Sequence, residues 1–304
     1  MKLATTTGDF WKCSVSSEES IKLIRDAGFR YLDIGIGGRF CAKDESWRDC
    51  VKEFMGYAEK YGMQYVQAHS PNATVLGADR PDRWEKELFS AKRSLEICQL
   101  MGIPQVVIHA SYTSKPVSKE SWYAENERFY RELLPVAEKT GVTILTENTT
   151  HANLPEGTFY MYTGKDMVEF IEYIDHPLFQ AVWDTGHGTT EGSQYDNIMA
   201  LGKHLKGLHV HDNNGKADEH TLPYTGVLNL DQVMNGLLDV GYEGYFTFEA
   251  LNVLRAAKDG RQPRQKFERD TRLANPTLEM QIDMERLLYH IGKHALTAYD
   301  CFEE

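Results

Sequence analysis

One junction recurs along the chain. In "DAGFRYLDI", "KYGMQYVQA", "LMGIPQVVI", "KTGVTILTE" and "DVGYEGYFTF" a helix-like stretch ends at a glycine and a β-branched or aromatic run follows at once. Glycine tolerates the left-handed conformation that stops a helix, so each junction reads as helix, stop, strand. Strands are expected at 2–7, 31–36, 64–69, 105–110, 143–148, 180–185, 207–212 and 245–250. Helices are expected at about 17–27, 44–61, 82–101, 119–140, 164–175, 193–203, 229–240 and 275–299. Eight strands alternating with eight helices require a parallel sheet with right-handed crossovers. At 304 residues a closed (β/α)8 barrel is the economical α/β solution, with a doubly wound open sheet as the alternative. Nothing resembles a linker, so one domain is expected over 1–304: a barrel over about 2–252 and a C-terminal helical extension over about 253–304. Within the extension, 256–276 reads as an irregular lobe.

Charge and cysteine usage narrow the function. Lys and Arg number 33 against 45 Asp and Glu, a formal net charge of −12, which disfavours a partner gripped through its phosphate backbone. No apolar run approaches the ~18–20 residues of a membrane span. The start, "MKLATTTGDFWK", lacks the apolar core of a secretory signal. Five scattered cysteines without a C-x-x-C pair argue against disulfides or a thiolate zinc site and fit a reducing compartment. A cytoplasmic location is therefore expected.

Barrel chemistry sits at the C-terminal ends of the strands. His69 ends the third strand, His109 lies at the end of the fourth, and Glu147 followed by Asn148 ends the fifth. Asp184 ends the sixth, with His187 three residues on; His209 and His211 lie on the seventh, and Glu249 on the eighth. His220 follows in the seventh loop and His151 in the fifth, leaving only His176, His204, His290 and His294 elsewhere. Any one of these reads most simply as a polar cap or a hydrogen-bonded core histidine. The set on one rim does not, because parallel strands are otherwise near-continuous apolar runs. Carboxylates converging at a barrel mouth repel one another unless a cation neutralises them. Mixed carboxylate and imidazole donors suit Mn2+, Co2+, Zn2+ or Mg2+, and such an ion polarises a carbonyl or alkoxide oxygen.

Taken in order on consecutive strands, "TEN" with Glu147, "WDTGH" with Asp184 and His187, "GLHVHDNNGKADEH" with His209 and "FTFEA" with Glu249 resemble the xylose isomerase-like TIM-barrel superfamily. That superfamily holds sugar isomerases and epimerases, inosose dehydratase-like proteins and endonuclease IV. The resemblance, over about residues 2–252, implies one divalent metal ion held by Glu147, Asp184, His209 and Glu249. It further implies that Glu147 and Glu249 are the catalytic acid/base pair, exchanging a proton at a sugar carbon beside a carbonyl. His69, His109, His187, His211 and Lys216 become substrate contacts. Asp218 and His220, with His69 and His109, resemble the additional zinc ligands of the endonuclease branch.

The chain also departs from the pattern. It reads "LPYTG" where a Pro-Gly-Glu-Gly-like turn is common, and it lacks an arginine that some epimerases carry in the seventh loop. Without a cationic cradle for phosphate, a non-phosphorylated small-molecule sugar is the expected substrate. The expected function is a divalent-metal-dependent sugar isomerase or epimerase. A lyase or dehydratase acting on a keto-sugar or inosose is the alternative. An endonuclease IV-like phosphodiester hydrolase stands behind it, disfavoured by the acidic charge, the short seventh loop and the absence of a basic, aromatic run. Phe10, Trp11 and Phe40 are candidates for an apolar pocket wall, and 149–164 for a lid. The C-terminal helix reads as a barrel cover or a homo-oligomer contact, with His290 and His294 as surface or packing residues.

Overall fold

The computed structural model describes residues 1–71, 81–152, 154, 156–252 and 276–304, without the side chains of 81 and 82. Most of the expected lobe at 256–276, and two residues of the expected lid, lie outside these.

Eight strands form one parallel sheet: β1 (Lys2–Thr6), β2 (Tyr31–Gly35), β3 (Gln64–His69), β4 (Gln105–Val107), β5 (Thr143–Glu147), β6 (Phe179–Asp184), β7 (Leu205–His209) and β8 (Tyr245–Phe248). Neighbours run β7-β6-β5-β4-β3-β2-β1-β8. The ends meet through a parallel bridge between Val210 and Phe248, with Val210 N donating to Thr247 O at 2.8 Å and Glu249 N to Val210 O at 3.2 Å. The sheet is therefore a barrel, the expected solution, and not the doubly wound open sheet that was its alternative.

Helices α1 (Ser17–Ala27), α2 (Ser46–Tyr61), α3 (Pro81–Met101), α4 (Lys119–Thr140), α5 (Gly164–Ile174), α6 (Thr185–Gly188, a single turn), α7 (Gln194–Leu201), α8 (Leu230–Asp239) and α9 (Leu278–Ala298) follow. The recurring glycines do what the junctions implied: Gly62 and Gly141 close α2 and α4 at φ 63° and 71°, where a side chain would be strained. Ser16, Ser118, Thr163, Ser193 and Thr277 cap helix starts by accepting a backbone N–H. The inner and outer layers meet in a core that includes Ile24, Leu32, Ile144, Phe170 and Leu237, all 0% exposed.

α9 takes the covering role. A Cβ on Gly292 would stand 2.7 Å from both Leu3 and Phe248, so this helix approaches β1 and β8 closely enough to need glycine there. His290 and His294 are exposed on it, as expected. Several strands stop short of the expected ends. β4 ends at Val107, β7 at His209 and β8 at Phe248, so His109, His211 and Glu249 stand one or two residues beyond the ladder. Ile108 O is taken by the Tyr130 hydroxyl at 2.8 Å and Ser111 O by Trp122 Nε1 at 2.8 Å, which draws the fourth strand end onto α4.

Candidate metal centre

The carboxylates and imidazoles of the strand ends converge at one mouth of the barrel. Donor atoms of Glu147, Asp184, His209 and Glu249 all lie within 4.8 Å of one another, and so do those of His69, His109 and Glu147. A further group joins His187, His211, Asp218 and His220 within the same limit. Glu147, 1% exposed, stands between two groups: Oε1 lies 3.0 Å from His209 Nδ1 and Oε2 lies 3.0 Å from His109 Nε2.

Backbone geometry sets these positions. Asp184 ends β6 and caps α6, its Oδ1 accepting from His187 N at 2.6 Å. Asn148 ties β5 to β6 through both amide atoms, accepting from Asp184 N at 2.8 Å and donating to Asp184 O at 3.0 Å. The glycine of "DTGH" makes room for a ring, because a Cβ on Gly186 would lie 1.9 Å from His211 Cε1. Asp212 organises the seventh loop: its oxygens accept from the N–H groups of Asn213, Gly226 and Leu228 at 2.8 Å each. His220 sits at φ 50°, unusual for a residue with a side chain, and Asn252 N holds its carbonyl at 3.0 Å.

Four rings share one arrangement. His69 Nδ1 lies 2.8 Å from Ser70 O, His187 Nδ1 2.9 Å from Asn148 O, and His220 Nδ1 2.8 Å from Glu249 O. His209 Nε2 lies 3.1 Å from Asp33 Oδ2. Only a protonated ring nitrogen can donate to such acceptors, so in the neutral ring the other nitrogen carries the lone pair. That other nitrogen faces inward each time, at Glu147 Oε2 for His69 (3.8 Å), Asp218 for His187 (3.2 Å) and His220 (3.2 Å), and Glu147 Oε1 for His209 (3.0 Å). Lone pairs and carboxylates facing one another fit a cation between them, and metal-binding histidines characteristically anchor their second nitrogen in this way. His69 Nε2 and His109 Nε2 approach to 3.0 Å, and Glu147 Oε2 accepts no well-aligned hydrogen bond despite its neighbours. The donor set therefore fits hard or borderline divalent ions, with no thiolate among it.

Without an ion, the cluster is held by proton sharing. Burial opposes charge on His209, but Glu249, Glu147 and Asp33 override it and hold the ring well above the usual histidine range. His187 is raised against burial by Asp184 and Asp218, and His220 to about 10, chiefly by Asp218. Glu147 and Asp184 are lowered despite burial, Glu147 by His209 and His109, Asp184 by His187 and His211.

A cavity of about 890 Å³ opens above the cluster, within the range of small-molecule sites. Glu147, Glu249, His69, His109, His187, Asp218 and His220 reach it; Asp184, His209 and His211 form the layer beneath. His211, expected to contact substrate, is fully buried with Nε2 3.0 Å from Asp184 Oδ2. Lys216, also expected there, is exposed on the "NNGK" turn and does not line the cavity. Its backbone N–H closes that turn onto Asn214 Oδ1 at 2.9 Å. Phe10 and Trp11 do line the cavity, Trp11 being 64% exposed, while Phe40 is buried against Phe54. Asp33 was not expected at the site. Its signal was an acid within "YLDIG", a strand otherwise buried and apolar at its centre.

The family model for xylose isomerase-like TIM barrels matches residues 21–269. The chain belongs to that family. Among family relatives, fructoselysine 3-epimerase of Escherichia coli O157:H7 is 24% identical over 216 residues, spanning 67% of this chain and 74% of that protein. A probable endonuclease 4 of Thermotoga petrophila is 26% identical over 206 residues, 59% of this chain and 69% of its own. The structure of D-psicose 3-epimerase from Clostridium cellulolyticum H10 with D-tagatose superposes with a TM-score of 0.76 at 18% identity, covering 97% of this chain and 99% of that one. It shares the fold.

Proposed function

We propose that this family member is a divalent-metal-dependent isomerase or epimerase of small sugars, with Glu147 and Glu249 as its acid/base pair. The observation that carries the reading is the ring arrangement: four histidines anchored by one nitrogen, each offering the other beside a carboxylate. Glu147, Asp184, His209 and Glu249 would hold the ion, which supplies Lewis-acid polarisation of a carbonyl beside the reacting C–H. Glu147 enters from the end of β5 and Glu249 from beyond β8, both lining the cavity. One removes the proton and the other returns it to the opposite face, giving the epimer. His69 and His109 line the same cavity and would bind substrate oxygens. The similarity to fructoselysine 3-epimerase supports the substrate class.

Ketoses incubated with the metal-loaded protein in deuterated water should gain deuterium at one carbon without loss of water. Glu147→Gln and Glu249→Gln should each slow exchange by about 10²–10⁴-fold, the usual contribution of a general acid or base. Exchange accompanied by water loss would instead make the protein a dehydratase. Absence of exchange across a panel of keto-sugars and inososes overturns the reading.

One observation favours a second reading. The groups around His69 and His109, and around His187, Asp218 and His220, exceed what a single ion needs, and a probable endonuclease 4 is among the relatives. Several zinc ions per chain, with cleavage of a small phosphodiester, would establish hydrolysis by a multinuclear centre.

A further inference from the structure

Beneath the site a polar line crosses the barrel interior. Asp33 on β2, 2% exposed, turns Oδ2 to His209 Nε2 at 3.1 Å and to Gln67 Nε2 at 2.7 Å. Gln67 on β3, 1% exposed, accepts at Oε1 from Gln105 Nε2 on β4 at 3.0 Å. The fold leaves space for this line: Gly207 stands two residues before His209 on β7, and a Cβ there would lie 2.6 Å from Gln67 Oε1. Asp33 Oδ1 accepts no hydrogen bond among the described residues, so both donors converge on Oδ2. Neither Asp33, Gln67 nor Gln105 lines the cavity, so none of them touches substrate there.

Burying a carboxylate beside neutral amides is unfavourable unless a charged or strongly donating partner holds it. Gln67 cannot be that partner alone: its Nε2 also lies 3.1 Å from His209 Nε2, but an amide nitrogen cannot accept, so a proton on His209 Nε2 is directed to Asp33 Oδ2. Three of the anchored rings at this mouth lean on neutral backbone carbonyls, whereas His209 leans on a carboxylate. An anionic acceptor makes the ring a stronger donor of its remaining lone pair and fixes its orientation more firmly than a carbonyl does.

We infer that Asp33 is a positioning residue which, steadied by Gln67 and Gln105, keeps the proton of His209 on Nε2 and presents Nδ1 to the ion between Glu147 and Glu249. The ion-directed half of this statement rests on the metal-dependent function proposed above; the ring-proton half does not. Gln67 fixes the Asp33 carboxylate, and Gln105 fixes the amide of Gln67 so that its NH2 faces Asp33.

The test uses the full chain and zinc, with affinity read by competition against a chromophoric chelator for the ion that is lost in His209→Ala. Asp33→Asn should weaken that ion about 10–100-fold, the usual effect of removing such an outer partner. Gln67→Met, which keeps the volume, should weaken it less but in the same direction, and serves if Asp33→Asn does not fold. A slowly exchanging, downfield Nε2–H proton of His209 should appear in wild-type NMR spectra with or without zinc and shift upfield in Asp33→Asn. A merely structural Asp33 would change the melting temperature and leave zinc affinity of the folded variant alone. Affinity within twofold of wild type in folded Asp33→Asn, or no hydrogen-bonded Nε2–H proton in wild type, overturns the inference. If wild type binds none of zinc, manganese, cobalt or magnesium, the proposed function falls, and the ring proton still decides the role of Asp33.

Discussion

At the scale of residues, protons and metal ions compete for the same lone pairs. His187 and His209 are held well above the ordinary histidine range by the carboxylates beside them and His220 at about 10, so without an ion these three rings favour the imidazolium form. An ion must displace those protons, because a ligating imidazole is neutral at the nitrogen that binds. Zinc binding should therefore release protons, and affinity should fall as pH falls. Calorimetry in two buffers of different ionisation enthalpy reads the protons directly; equal heats in both would contradict the arrangement. Steric fit gives a second expectation. Gly186→Ala should drive the His211 ring from its place and destabilise the protein by about 1–3 kcal/mol, as overpacking a buried site does, and weaken zinc binding with it. An unchanged melting temperature would show that the ring has room that the geometry denies.

Much at this scale was legible in the linear sequence, because a charged residue at the end of a buried strand has few structural reasons to be there. Glu147, Asp184, His209 and Glu249 announced themselves in that way, and their donor atoms do converge. Lys216 was expected at the substrate as the nearby cation of the seventh loop, but it is exposed on the turn at Gly215, φ 72°, and does not line the cavity. Asp33 carried a signal as an acid within a buried strand, but neither it nor Gln67 could be placed beneath the site, because a strand carries no mark of which face looks inward until its neighbours are known.

At the scale of elements, α9 is joined to the barrel through buried polar groups as well as apolar ones. Gln281 Nε2 donates to Asp9 O at 3.0 Å, and Glu285, fully buried, stands against the Asp9 carboxyl. Thr5 donates its hydroxyl to Asp9. Burial pushes Asp9 up to about 7 against that hydrogen bond, and burial together with Asp9 raises Glu285 well above the usual carboxylate range. A carboxyl with a raised folded pKa binds its proton more tightly in the native state, so the native state loses stability as pH rises from the unfolded value of 3.8 to about 7. The melting temperature of wild type relative to Asp9→Asn, both measured at the same saturating zinc, should therefore fall across that window. A variant whose profile parallels wild type would remove the pair from the account. The helices themselves were readable to within a few residues, since their caps and glycine stops are local signals. The single turn α6 and the short β4 were not, because each is decided by partners distant in sequence: Asn148 for α6, and Tyr130 and Trp122 for the end of β4.

For the whole molecule, alternation of strand and helix together with chain length favoured a barrel over a doubly wound open sheet, and the order β7 to β1 to β8 bears it out. No helix among the described residues is long and apolar enough to cross a membrane. Where the barrel closes was not legible, since that depends on how strand ends meet in space. The meeting of β7 and β8 is the most thinly hydrogen-bonded, resting on the one bridge at Val210 and Phe248 where other neighbours share two to five paired positions. Sparse pairing predicts local opening, so the amides of Val210 and Glu249 should exchange with deuterium sooner than those of β5 and β6 in ion-free protein. His209 lies on one side of this junction and Glu249 on the other. An ion shared between them would act as a stitch across the seam, so that loading the site also finishes the wall of the barrel. Exchange at Val210 and Glu249 should then slow on adding zinc far more than exchange at β5, and uniform slowing would mean the stitch is elsewhere.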